Sequence, residues 1–227
     1  MQAELIRPEQ MIISHWAGGS TRQLAISPPG ATVAAQDFHW RFSSATVLQD
    51  GQFSRFVAHQ RLLALRQGAG MTLQIDQQQA VLSHQQQSLR FAGSATSSAT
   101  LLAGPVTDIN LMLATGWQGN LWAEPLLFEW QSLQWAGPPE CTLLCYADEA
   151  AVEIQLMTAT QQHYHWQLAL GEALQLSRFS QHCRVRLRRL ANPQAGTVAS
   201  TQATPQVTAS ARQPSLVLAW LCQPGKD

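Results

Sequence analysis

Residues 38–47 read FHWRFSSATV, and their alternation decides the fold class. In an extended strand successive side chains point to opposite faces. Phe38, Trp40 and Phe42 therefore fall on one face, and His39, Arg41, Ser43 and Ala45 on the other. Gln49-Asp50-Gly51 follows as a turn, because Asp-Gly tolerates the positive φ of tight hairpins. RLLAL (61–65) is an apolar run ahead of Gly68-Ala69-Gly70, and MTLQI (71–75) alternates again, so two strands joined by a glycine turn are expected. Further strands are expected at 22–26, 80–82, 89–91, 107–112, 142–146, 152–157, 164–170, 184–190 and 216–221, with a turn at Gly171-Glu172. No long segment carries a 3.6-residue apolar period, so the expected class is all-β, a barrel or a sandwich.

With 227 residues the chain can bury one large β domain or two compact ones. Fourteen basic and fourteen acidic residues cancel, so charge gives no reason to invoke nucleic acid or an anionic membrane. No apolar stretch approaches the ~20 residues that span a bilayer. The start, MQAELIRPEQMIISHW, has no basic head followed by an apolar run, so no signal peptide is read and cytoplasm is the default. Cys141, Cys145, Cys183 and Cys222 form no C-x-x-C pair and read as core thiols of a reducing compartment. Residues 192–214 are poor in large apolar side chains and read as a loop between two strands. A softer boundary falls near 116–122, dividing the chain into 1–115 and 116–227.

Three arginines of the first half stand out. Arg41 shares its strand face with small residues, which suits a lumen that holds a ligand. Arg61 shares a face with Leu63 and Leu65, and an arginine among apolar neighbours needs a carboxylate from protein or ligand. Asp108 and Asn110, two residues apart on one face, could be the internal partner that merely closes the barrel. Arg22 ends WAGGSTR (16–22), whose glycines would let backbone approach a ligand, although Gly-Gly before a strand is more often a turn. Small-molecule binding would then use Arg61, Arg41, Arg22, Asp108, Asn110 and Ser43, with Trp16 or Trp40 packing the ligand body.

Metal and nucleophilic chemistry find little support. His163-Tyr-His165 is the sole H-x-H pair, with no acid or glycine at a helpful spacing, so no metal site and no cofactor are expected. There is no G-x-S-x-G elbow. A metal-free acid–base enzyme using His39 or His59 stays open. Arg184, Arg186, Arg188 and Arg189 make a basic ridge that reads as a solvated strand face or, in a third reading, a partner-protein surface.

In the first half, an ordered series of motifs resembles the HutD/Ves family of cupin-like proteins: WAGGSTR (16–22), DFHWRFSSATV (37–47) with DGQFSRF (50–56), QRLLALRQGAGM (60–71), LRFAG (89–93) and LAGPVTDINLM (102–112). The second half matches more loosely, through WQLALGEAL (166–174) and SLVLAW (215–220). The resemblance implies a bicupin, two small jelly-roll barrels in one chain, cytoplasmic and without metal. HutD members are linked to histidine utilisation and look like binders of an intermediate such as urocanate or formiminoglutamate; Ves members are stress-associated. The family's pocket arginine falls on Arg61, its W-R and T-R arginines on Arg41 and Arg22, and its D-x-N on Asp108 and Asn110. Two departures bear on the ligand. Gln23 stands where the family commonly has an acid, and Phe56-Val57-Ala58-His59 where it commonly has Phe-Pro-Gly. The expected function is non-catalytic binding of a small anionic carboxylate, with a metal-free isomerase or hydrolase as the alternative. A homodimer stays open as the assembly.

Overall fold

The computed structural model describes residues 1–85, 88–135, 137–191 and 213–223. Most of the loop expected at 192–214 lies outside the described residues. The strands are β1 (Gln2–Ile6), β2 (Ile12–Trp16), β3 (Gly19–Ser27), β4 (Trp40–Val47), β5 (Gly51–Gln52), β6 (His59–Gln67) and β7 (Met71–Ile75). Next come β8 (Gln78–Leu82), β9 (Leu89–Ala92), β10 (Ser97–Leu101), β11 (Val106–Ala114), β12 (Gln118–Pro125) and β13 (Gln131–Ser132). The last are β14 (Glu140–Tyr146), β15 (Val152–Met157), β16 (His163–Leu168), β17 (Ala173–Ser180), β18 (Arg184–Arg189) and β19 (Ser215–Cys222). One short 3-10 turn, Pro8–Gln10, is the helical exception among the described residues. None of their helices is long and apolar enough to cross a membrane. The chain is all-β and antiparallel.

Four sheets stack. A first outer sheet has the order β5-β10-β7-β8 and a first inner sheet β2-β3-β4-β11-β6-β9. A second inner sheet runs β1-β17-β14-β19-β12, and a second outer sheet β13-β18-β15-β16. Three apolar layers fill the gaps. Leu63, Leu65, Leu73 and Leu82 lie between the first outer and first inner sheets. Trp40, Phe42, Leu62 and Leu111 meet Leu144, Val217 and Leu221 between the two inner sheets. Leu143, Ile154, Leu176 and Leu187 fill the last gap. Both inner sheets are thus covered on two faces, which is why RLLAL and SLVLAWL do not alternate.

The turn signals mark corners rather than hairpins. Asp50-Gly51 carries the chain from β4 in the inner sheet to β5 in the outer one, and Gly68–Gly70 carries it from β6 to β7. Gly68 and Gly70 adopt φ of +93° and +111°, and a Cβ on Gly68 would strike the Pro105 carbonyl oxygen. The first strand crosses between the sheets: Gln2–Ile6, inside the expected 1–115 unit, pairs with Ala173–Ser177 of β17. Burial of Ile6 between the inner sheets holds it there.

Candidate functional site

A cavity of about 240 Å³ opens on the face of β4, β6 and β11 that turns toward the first outer sheet. Pairing across the three strands sets its floor. Asn110 of β11 lies opposite Ser43 and Leu63, and Met112 opposite Arg41 and Arg61. Directly paired residues share a face, so one register brings Arg41, Ser43, Arg61, Asp108, Asn110 and Met112 onto the same wall. Trp16 joins at the rim, its ring Nε1 donating to Thr21 Oγ1 at 3.3 Å.

Two expected site residues lie elsewhere. Trp40 follows alternation to the opposite face from Arg41 and packs between the inner sheets. Arg22 pairs with Ser44, on the far face of the sheet, and lines a cleft of about 190 Å³ with Tyr146 and Asp148. Its neighbour Gln23 pairs with Ser43 instead and turns to the cavity side. The glycines before Arg22 lie close against protein: a Cβ on Gly18 would meet the Trp16 ring, and one on Gly19 the Thr46 carbonyl oxygen. Phe38 also departs from the expected face, because β4 begins at Trp40; it packs on Phe56 and Met112.

Arg61 is 5% exposed, and its guanidinium carbon sits 5.2 Å from the Phe53 centroid, 5.2 Å from Phe91 and 6.0 Å from Phe56. An aromatic face attracts a cation, so three phenyl rings supply part of the compensation for which a carboxylate was expected. These rings lie within the DGQFSRF and LRFAG segments, where an F-x-x-F spacing beside a buried arginine was the available signal. Arg41 donates from Nε to Gln23 Oε1 at 3.0 Å. Neither guanidinium bonds Asp108, so no ion pair between them closes the barrel. Arg61 Nε, Asp108 Oδ1 and Asn110 Oδ1 are all buried without a hydrogen-bond partner.

Burial dominates the electrostatics. It lowers Arg41 and Arg61 to about 10, leaving both cationic at neutral pH. It pushes the Asp108 carboxyl up to about 7, with the Arg61 charge pulling the other way. Such a site can offer two cations to an anion and two oxygen acceptors to a donor.

Other candidates are occupied or remote. His59 bonds the Phe38 carbonyl through Nε2 at 2.9 Å, and His39 stacks on Trp117 at 5.6 Å; neither lines the cavity. His165 bonds Glu153 at 2.5 Å. Among the described residues no three His, Cys, Asp or Glu side chains gather as a metal site would require. Burial raises the Cys141 and Cys145 thiols to about 12, far from a nucleophilic thiolate.

The chain is similar to Protein Ves of Citrobacter koseri, 32% identical over 106 residues, 45% of this chain and 53% of that one. An uncharacterized 21.2 kDa protein in the hutC 3' region of Pseudomonas putida is 30% identical over 115 residues, 50% of this chain and 59% of its own length. The chain thus spans between half and three-fifths of these curated relatives. A conserved protein of unknown function from Pseudomonas aeruginosa PAO1 superposes with a TM-score of 0.74 at 26% identity, covering 97% of this chain and 99% of that one. HutD from Pseudomonas fluorescens SBW25 gives 0.66 at 22%, covering 99% and 100%. The Bacillus subtilis oxalate decarboxylase gives 0.58 at 5%, covering 96% and 76%, a likeness of fold alone and a cupin-like one. The HutD family model matches residues 9–192, most of the chain, and the protein belongs to the HutD family.

Proposed function

We propose that the protein is a non-catalytic, cytoplasmic binder of a small carboxylate, built as a bicupin whose N-terminal barrel holds the ligand. One observation carries this reading: Arg61 and Asp108, both buried, face one cavity without bonding each other. Arg61 has one long hydrogen bond, from Nη1 to the Ser54 carbonyl at 3.5 Å, and its Nε has none. A buried polar group left unsatisfied is costly, and a ligand that supplies the partner recovers that cost. Its carboxylate meets Arg61 and Arg41; an N–H group meets the free oxygens of Asp108 and Asn110. Urocanate and formiminoglutamate each carry both, which supports a role in limiting flux through histidine utilisation.

Calorimetry with each compound tests this. We expect saturable binding that Arg61→Ala weakens on the order of 10–100-fold, the span of one or two lost charge-assisted hydrogen bonds. No binding of either acid, with variant and wild type alike, overturns it. A second reading, a metal-free isomerase or hydrolase, draws on Asp108, which burial poises near neutrality in the cavity, where a general acid or base works best. Turnover of a bound acid, abolished in Asp108→Asn, would favour it.

A further inference from the structure

We propose that the exposed face of the second outer sheet holds a separate ligand site, for a phosphorylated small organic molecule. Register places its groups. Ser132, Arg186, Gln155 and His165 form one row across β13, β18, β15 and β16. Arg184, Met157 and His163 form the next, and Arg188, Glu153 and Gln167 the third. A cavity of about 540 Å³ lies against the first two rows, lined by Arg184, Arg186, His163, Gln155, Ser132 and Trp135 among others.

The charge on this face is one-sided. Its one acid, Glu153, is already taken: Arg188 Nε donates to it at 2.6 Å and His165 bonds its other oxygen. Arg184 and Arg186 have no carboxylate within 4.0 Å among the described residues. The Trp130 ring centroid lies 5.3 Å from the Arg186 guanidinium carbon and 4.6 Å from that of Arg188, so one ring faces both cations.

Charge and donor number select the anion. Arg184 and Arg186 are two residues apart on β18, and His163 shares the row of Arg184 two strands away. Two guanidiniums and an imidazole offer more donors than the two coplanar oxygens of a carboxylate take up, whereas a phosphoryl group brings three oxygens and close to two charges. The cavity also exceeds what a bare phosphate fills and falls in the ~300–1,000 Å³ range of small-molecule sites. Trp135 gives the organic body a fixed apolar wall, its Nε1 donating to the Pro138 carbonyl at 3.2 Å and its ring packed on Phe179.

The test is calorimetry on the full chain with phenyl phosphate, inorganic phosphate and benzoate. Phenyl phosphate should saturate the site more tightly than inorganic phosphate, and benzoate should bind it at least about tenfold more weakly. Arg184→Ala and Arg186→Ala, both exposed positions, should each weaken phenyl phosphate about tenfold or more with unchanged thermal melting, while Arg61→Ala leaves it intact. Absence of saturable phenyl phosphate binding overturns the proposal. So does binding that survives both arginine variants, or that Arg61→Ala removes, since the anion would then occupy the first cavity. Capture of single-stranded DNA or an acidic peptide without phenyl phosphate overturns it too.

Discussion

Gln23 Oε1 accepts the hydrogen bond of Arg41 Nε at 3.0 Å. A neutral amide here satisfies the donor without cancelling the charge, whereas a carboxylate in the same place would form an ion pair at the cavity's edge. Arg41 is 6% exposed and stays cationic at neutral pH although burial lowers it to about 10. Gln23→Glu should therefore weaken binding of a small carboxylate about tenfold or more, by calorimetry, while Arg61 is untouched. Unchanged affinity would remove the Arg41 charge from the binding energy.

The Arg61 ring cage is testable in the absence of any ligand. With Phe53 and Phe91 each 5.2 Å from the guanidinium, the cation and the rings should stabilise one another beyond simple packing. A double-mutant cycle of Arg61→Met with Phe91→Leu, followed by urea unfolding, should return a coupling of about 0.5–2 kcal/mol. Zero coupling would leave the rings as filler.

Strand alternation made much of this site legible. It put Arg41 and Ser43 on one face, Arg61 beside Leu63 and Leu65, and Asp108 beside Asn110, and the inter-strand register then brought these faces together. The same rule, taken one residue further, excludes Trp40 from the wall that holds Arg41. What one strand cannot reveal is which neighbour lies opposite. Arg22 loses its place to Gln23 because the pairing with β4 sets Gln23 against Ser43, and a bulge between Gln23 and Ala25 then shifts the register. Gln2–Ile6 is equally hidden from any single strand, since its partner Ala173–Ser177 lies far along the chain.

Asp108 should make stability depend on pH. Its carboxyl rises from 3.8 to about 7 on folding because burial disfavours the charged form. The folded chain then binds more protons than the unfolded one between those values, so this residue's contribution to stability falls as pH rises through that window. Asp108→Asn removes the titration. At pH 8 the variant should exceed the wild type by a few kcal/mol in urea unfolding, because each unit between the two pKa values disfavours the ionised carboxylate by about 1.4 kcal/mol. The difference should shrink toward pH 5. A variant less stable at pH 8 would mean that the ionised carboxylate is well partnered.

Arg66 provides the contrasting case of an arginine used for the fold. Alternation along β6 sets Arg66 on the face of Leu62 and Ala64, toward the second inner sheet, next to the register shift between the pairings of Thr107 with Gln67 and Asp108 with Leu65. There its Nε and Nη2 donate to the two Asp148 oxygens at 2.7 and 2.9 Å, and Nη2 also reaches Glu149 at 3.2 Å and the Ser215 hydroxyl at 3.1 Å. The side chain is 1% exposed. Removing one member of a buried charge cluster strands the rest, which typically costs about 3–5 kcal/mol. Arg66→Met should lose that much in urea unfolding, and Arg66→Met with Asp148→Asn should recover part of it. Carboxylate affinity of the folded variant should match the wild type, because Arg66 does not line the Arg61 cavity. An Arg66→Met chain as stable as the wild type would show that the cluster contributes nothing to joining the two inner sheets.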